Sequence, residues 1–136
     1  MKDKPDRICV EKDYLKDFKL LQEERDSPFY KKENKDVFMM AMILGVKNGV
    51  RVPLKNREGF FRIEYLNNEE RTLIKSIAIS SQDDLFILTD QNKIFQIAEE
   101  YASGGIKYLK ESVFSKQYGT YIKKLESELI EESEKW

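Results

Sequence analysis

Very few side chains in this sequence could act as catalysts or metal ligands. Histidine is absent from the 136 residues and cysteine occurs once, as Cys9. The chain therefore cannot build a Ser-His-Asp triad, a Cys-His pair, or a histidine-ligated or thiolate-caged metal site. Cys9 has only Arg7 and Lys12 as neighbouring cations, which favours an inert thiol over a nucleophile. We expect no catalytic residue, no metal site and no cofactor, and the sequence predicts a protein that is not an enzyme.

One arrangement nevertheless resembles a nuclease pattern. Pro5-Asp6, followed by Glu33-Asn34-Lys35, echoes the Pro-Asp…Glu-x-Lys arrangement of metal-dependent nucleases. Such sites need carboxylates on adjacent strands around Mg²⁺. Here Asp6 lies in a charged terminus and Glu33 leads into a predicted helix. Because short patterns often arise by chance, a metal-dependent nuclease is the least favoured function.

A short basic window is the most suggestive polar feature. Residues 47–62 carry a single acid, Glu58, in a chain whose net charge is −1. Phosphate recognition needs cations on an ordered backbone, and amides such as those of Gly49 and Gly59 could add donors. The plainer interpretation is a solvated loop whose cations balance acidic helices nearby. The candidate phosphate or partner contacts are Lys47, Arg51, Lys55, Arg57 and Arg62.

A second candidate surface lies at the end of the chain. Residues 117–136 are predicted to form an amphipathic helix whose narrow apolar stripe suits a neighbouring helix or a second subunit. Its acidic end opposes the helix dipole, so the last turns are predicted to fray. The candidate partner-helix stripe consists of Tyr118, Tyr121, Ile122, Leu125 and Leu129.

The apolar pattern predicts a mainly α-helical protein. About 40% of the residues are hydrophobic and 36% are charged, which fits one small domain. Over residues 1–116 we expect a compact bundle of about five helices around a central helix, Val37–Val46, that is apolar on all sides. A short β-hairpin near residues 50–65 is an additional option, and Ile8–Val10 could be extended.

Polar residues, glycines and prolines mark the ends of the predicted helices. Asn34 or Asp36 can cap the central helix. The pair Asn67 and Glu70 can cap the next helix, and Asp90 can cap the one after it. Gly49 is a typical helix C-cap, and Gly104-Gly105 is predicted to separate two helices. Residues 60–65 and 85–88 are compatible with either strand or helix.

Two segments resemble a known family. The run Asp36–Gly45, DVFMMAMILG, followed by Asn48–Leu54, NGVRVPL, is similar to the front half of a small family that accompanies DNA phosphorothioation (Dnd) gene clusters. Phe95–Leu109, FQIAEEYASGGIKYL, is similar to its rear half. The resemblance covers roughly residues 34–112, and Phe114–Trp136 looks like an extension. It implies a defence context in which sulfur-modified DNA marks self, but it implies no particular activity.

The favoured function is therefore a non-catalytic accessory protein that binds other protein subunits of such a defence system. Direct DNA binding through residues 47–62 is the alternative, and a homodimer through the C-terminal helix is also considered. The longest apolar run, Val37–Leu44, is too short to span a bilayer, so no membrane association is expected. A single cysteine and a charged N-terminus without a signal-peptide pattern favour the cytoplasm.

Overall fold

The computed structural model describes residues 6–114. Two antiparallel strands and four α-helices make up most of this region, so the prediction of a mainly helical fold is confirmed. Three single turns of 3-10 helix connect them, at Lys12–Tyr14, Ile63–Tyr65 and Leu85–Thr89. In chain order the main elements are β1 (Arg7–Glu11), α1 (Leu15–Glu23), α2 (Asn34–Asn48), β2 (Arg57–Arg62), α3 (Asn68–Gln82) and α4 (Gln91–Phe114).

The predicted helix ends are largely confirmed. The Asn67 side chain accepts a hydrogen bond from the Glu70 backbone N–H at 2.8 Å, and Glu70 Oε1 accepts one from Asn67 at 2.9 Å. Asp90 Oδ1 accepts the Lys93 N–H at 3.1 Å, and Gly49 ends α2 with a φ of 66°. At the start of α2 the N-cap residue is Glu33 rather than Asn34 or Asp36. Asp36 still contributes to the capping box, because its Oδ2 accepts the backbone N–H of Glu33 at 3.1 Å.

The pair α2 and α4 forms the centre of the domain, and glycines allow its two backbones to touch. A Cβ on Gly105 would lie 1.7 Å from the carbonyl oxygen of Ala41, and one on Gly45 would lie 2.0 Å from that of Tyr101. One on Gly104 would lie 2.1 Å from the carbonyl oxygen of Val50, just after α2. The predicted helix break at Gly104-Gly105 is wrong, because α4 runs unbroken from Gln91 to Phe114. These glycines serve close packing rather than a turn.

The two strands are far apart in sequence. β1 pairs with β2 in antiparallel fashion from Arg7 opposite Arg62 to Glu11 opposite Arg57, with an irregularity at Ile8/Cys9. The extended segment predicted near Ile8 is therefore a strand, and residues 50–65 contribute one strand to this sheet rather than a local hairpin. Residues 63–65 and 85–88 are 3-10 turns.

The core lies between the sheet and the helices. Phe18, Phe38 and Phe60 are buried there, and the Phe18 and Phe60 rings lie 5.0 Å apart. The central helix α2 is less enclosed than expected, because one face remains partly exposed although the opposite face packs on α4. That exposed apolar face consists of Met40, Ile43 and Val46. Within residues 6–114, no helix is long and apolar enough to cross a membrane.

Candidate functional site

The basic window of residues 47–62 does not form one cationic surface. Arg51 Nε lies 2.6 Å from Glu100 Oε1, and its Nη1 donates to Ser81 Oγ at 3.0 Å. Arg57 also pairs with a carboxylate of α4, whereas Arg62 pairs at 2.8 Å with the exposed Glu64. Lys47 and Lys55 are exposed, and neither has an ion-pair partner within residues 6–114. A phosphate contact by these five residues stays a prediction.

Arg57 meets a carboxylate that sequence reasoning missed. Glu99 of α4 is 1% exposed, and its Oε2 accepts the backbone N–H of Cys9 at 2.7 Å. Arg57 Nη2 lies 2.7 Å from Glu99 Oε1, but Oε1 accepts no hydrogen bond of good geometry, so this contact is an ion pair. Burial raises the pKa of Glu99, while the Cys9 amide and Arg57 act to lower it. The pair fastens the start of β2 to α4.

Cys9 lies beside this ion pair and is partly buried. Burial and the nearby Glu99 carboxylate raise the pKa of the Cys9 thiol, against the opposing effect of Arg57. A raised pKa leaves less thiolate at neutral pH, which is the opposite of what a nucleophilic cysteine requires.

Glu11 is a further buried carboxylate with a structural role. Its Oε2 accepts the backbone N–H groups of Lys55 at 2.7 Å and Asn56 at 3.1 Å. Together with the Arg51–Glu100 contact it holds residues 50–56 against the domain. Of the five predicted contact residues, Arg51 and Arg57 are thus paired with buried carboxylates of α4, and the backbone at Lys55 is held by Glu11.

A concave feature lies beside the sheet, between residues of β1, β2 and the start of α2. It is a groove of about 620 Å³ that we call the cationic groove. Four basic side chains and one carboxylate contribute to its walls, and the buried Phe60 and Phe61 contribute to its floor. Its basic residues are Arg7, Lys32, Lys35 and Arg62, and its acid is Glu33.

Hydrogen bonds fix the walls of the cationic groove. Asn34 Nδ2 donates to the carbonyl of Phe60 at 2.7 Å, and Gln22 Nε2 donates to Asn34 Oδ1 at 2.7 Å. Lys35 Nζ donates to the carbonyl of Tyr65 at 3.0 Å and pairs with Glu70 at 3.1 Å. The groove is therefore a preformed part of the fold, built from segments distant in sequence.

The three exposed cations of the groove differ in their ion-pair partners. Arg62 pairs with Glu64, and both side chains are more than half exposed. For Arg7 and Lys32, no ion-pair partner exists among the described residues. Only Arg62 belongs to the predicted set, because Arg7 and Lys32 lie outside residues 47–62 in the sequence and are brought to the groove by the fold.

A second unusual surface is the turn between α3 and α4. Leu85, Phe86 and Leu88 are 70%, 74% and 43% exposed, although all three are apolar. Ile87 packs against the core, and Asp84 Oδ1 accepts the Phe86 N–H at 2.9 Å, so the turn has a defined conformation. We call Leu85, Phe86 and Leu88 the apolar turn.

Aspartates surround the apolar turn. Asp83 ends α3 with a φ of 52°, Asp84 begins the turn and Asp90 follows it. None of the three forms an ion pair with another described residue. The turn therefore presents an apolar centre with an acidic rim.

The nuclease-like pattern shows no metal-binding arrangement among the described residues. Of the nuclease-like pattern, Pro5 lies outside the described residues, Lys35 pairs with Glu70, and Glu33 precedes α2. Among residues 6–114, no cluster of His, Cys, Asp or Glu is suited to hold a metal ion. The stripe of Tyr118, Tyr121, Ile122, Leu125 and Leu129, and the predicted C-terminal helix at 117–136, also lie outside the described residues.

Fold and site together define a small, mainly helical protein with a two-stranded sheet, a preformed cationic groove and an exposed apolar turn. The chain belongs to the family of DNA sulphur modification system-associated protein 4, whose profile matches residues 7–136. The predicted family relationship is confirmed, and the match includes the C-terminal residues that looked like an extension. Comparison with curated proteins and with solved structures found no match.

Proposed function

We propose that this protein is a non-catalytic accessory subunit of a Dnd defence system and that it docks on another protein of that system. The observation that carries the proposal is the apolar turn, where Phe86 and Leu85 are largely exposed. Membership of a family associated with DNA sulphur modification supplies the context.

The apolar turn has the properties of a docking anchor. Burying a leucine or phenylalanine that is exposed in the isolated protein contributes about 1.5–3 kcal/mol per side chain. Interfaces concentrate their binding energy in a few such anchors, which fill pockets of the partner. Because Ile87 and the Asp84 cap hold the turn in place, little conformational entropy is lost on binding.

The acidic rim indicates the chemistry of the partner. Asp83, Asp84 and Asp90 surround the apolar centre, so the complementary surface is an apolar socket bordered by lysines or arginines. A phosphate backbone would be repelled by the same rim. The surface therefore favours a protein over DNA as the occupant of this site.

The absence of histidine and the raised pKa of Cys9 support a binding role over catalysis. Direct DNA contact through residues 47–62 is less favoured, because Arg51 and Arg57 are already paired with Glu100 and Glu99. A second copy of this chain is the competing occupant, and sedimentation of the purified protein separates that case from a heteromeric complex.

The test is co-expression of the tagged chain with each other protein of the same system, followed by affinity purification and titration of the complex that forms. Phe86→Asp should weaken the complex by at least about 30-fold, as expected for loss of an interface anchor. Tyr108→Asp is the matched control, because it makes the same kind of change at an exposed aromatic of α4 that lies outside both the apolar turn and the cationic groove. Absence of a complex with every component, or equal binding by the wild type and Phe86→Asp, would overturn the proposal.

A further inference from the structure

We propose that the cationic groove binds single-stranded nucleic acid, with its basic side chains on the phosphates and Tyr65 against a base. This inference is independent of the proposed docking function, because it concerns the opposite chemistry on a different surface. It rests on the spatial convergence of residues from β1, β2 and the start of α2.

The first argument is the arrangement of charge. Arg7 and Arg62 are directly opposed Cα partners in the antiparallel sheet, and both line the groove. Like charges at opposed positions of a sheet destabilise it. Lys32 adds a cation that has no ion-pair partner among the described residues. Lys35 pairs with Glu70, and Arg62 pairs with Glu64, but the latter pair is more than half exposed and therefore weak. An anion in the groove would relieve this repulsion.

The second argument is the aromatic component. Tyr65 lines the same groove and is 59% exposed, while its backbone carbonyl is held by Lys35. An exposed aromatic ring beside cations is the combination with which proteins bind single strands, since bases stack on the ring and cations follow the backbone. A duplex keeps its bases stacked on one another, so it cannot use Tyr65 in this way.

The third argument is size and preorganisation. A volume of about 620 Å³ lies within the range of roughly 300–1,000 Å³ typical of ligand pockets. The contacts of Asn34 with Phe60 and of Gln22 with Asn34 hold the wall in place without a ligand. The groove can thus accept a short segment of a strand without first refolding.

The experiment is a fluorescence anisotropy titration of the full chain with labelled oligothymidylate. Counterion release predicts that affinity falls by about 50-fold between 50 and 200 mM salt if all four cations contact phosphates. Lys32→Ala/Arg62→Ala should weaken binding and reduce that salt effect to about 7-fold. Tyr65→Ala should weaken binding by at least about fivefold through loss of stacking.

Lys16→Ala/Lys19→Ala is the matched control, because it removes two exposed lysines of α1 and changes the net charge equally. It should leave the affinity within about twofold of wild type at the same salt concentration. All altered side chains are largely exposed, and circular dichroism with thermal unfolding confirms that the variants fold. A duplex of the same length and poly-glutamate serve as competitors.

Binding of the single strand that is lost in the groove variants and retained in the α1 control supports the proposal. No binding at low salt, equal loss in both double variants, or equally effective competition by duplex or poly-glutamate would overturn it. The last two results would mean a general attraction for anions rather than a single-strand site.

Discussion

Arg7 and Arg62 lie directly opposite each other in the two-stranded sheet, and both side chains line the cationic groove. Opposed like charges reduce the stability of a sheet by a fraction of a kcal/mol. The molecule therefore keeps two cations together at a small cost, which is consistent with a surface that receives an anion.

Replacing Arg7 should consequently stabilise the isolated protein. We expect Arg7→Gln to raise the free energy of unfolding by about 0.5 kcal/mol at low salt, with a smaller gain at high salt because salt screens the repulsion. Urea unfolding at two salt concentrations measures both values. Arg25→Gln, an equal charge change at an exposed residue of the α1–α2 connection, should give no such gain. A loss of stability on removing Arg7 would show that the opposed arginines do not repel.

Removing Arg57 should leave Glu99 as a buried carboxylate without its cation. We expect Arg57→Ala to lower the free energy of unfolding by about 2 kcal/mol near neutral pH, between the values for exposed and for buried pairs. Arg62→Ala, which breaks the exposed pair with Glu64, should change stability by no more than about 0.5 kcal/mol.

The loss of unfolding free energy caused by Arg57→Ala should depend on pH. Burial already raises the pKa of Glu99, and loss of the cation raises it further. When the pKa of a carboxyl is higher in the folded than in the unfolded protein, the free energy of unfolding falls as the pH rises from the unfolded-state pKa to the folded-state pKa. The difference between wild type and variant should therefore shrink as the pH falls into the ordinary carboxyl range. A difference that is constant with pH would contradict an uncompensated Glu99.

Gly105 should tolerate no side chain. Gly105→Ala would place its Cβ 1.7 Å from the Ala41 carbonyl oxygen, so α2 and α4 would have to separate. We expect a loss of about 3 kcal/mol or more in the free energy of unfolding, at the upper end of the usual cost of overpacking. A Cβ at Gly49 would have no neighbouring atom within 4 Å, and only the positive φ would strain the alanine. Gly49→Ala should therefore lower the free energy of unfolding by about 1 kcal/mol. Equal losses of stability for Gly105→Ala and Gly49→Ala in denaturant unfolding would contradict the close contact between α2 and α4.

Cys9 should react slowly. Because burial raises the pKa of its thiol, Cys9 should be alkylated by iodoacetamide more slowly than free cysteine at the same pH. Unfolding in urea should abolish the difference. As the only thiol of the chain, Cys9 can be followed by mass measurement of the intact protein. Faster alkylation than free cysteine would indicate an activated thiol and would reopen a catalytic interpretation.

Local signals in the sequence predicted the helix ends well. The Asn67–Glu70 capping pair and Gly49 act within one helical turn, so their effect does not depend on the rest of the fold. Gly104-Gly105 was misinterpreted for the opposite reason. Its glycines are required by the backbone of α2, which a local pattern does not reveal.

The groove could be predicted only in part. Arg62 was singled out because it belongs to a run of basic residues, but Arg7 and Lys32 reach the same groove through the β1–β2 pairing and the start of α2. Glu11 and Glu99 were missed because burial, and hydrogen bonds or ion pairs between residues far apart in the chain, leave no spacing signal. Residues 85–88 were compatible with strand or helix, and the exposure of the apolar turn depends on which side chain of this segment packs inward, here Ile87.

The central claim is that the apolar turn docks on a partner protein, and hydrogen–deuterium exchange of the purified complex tests it most directly. Binding of the partner subunit should slow exchange of the amides in residues 83–89, while residues 57–65, beside the cationic groove, should exchange as in the isolated protein. Protection that appears at residues 57–65 and is absent from residues 83–89 would contradict the assignment of the apolar turn as the docking surface.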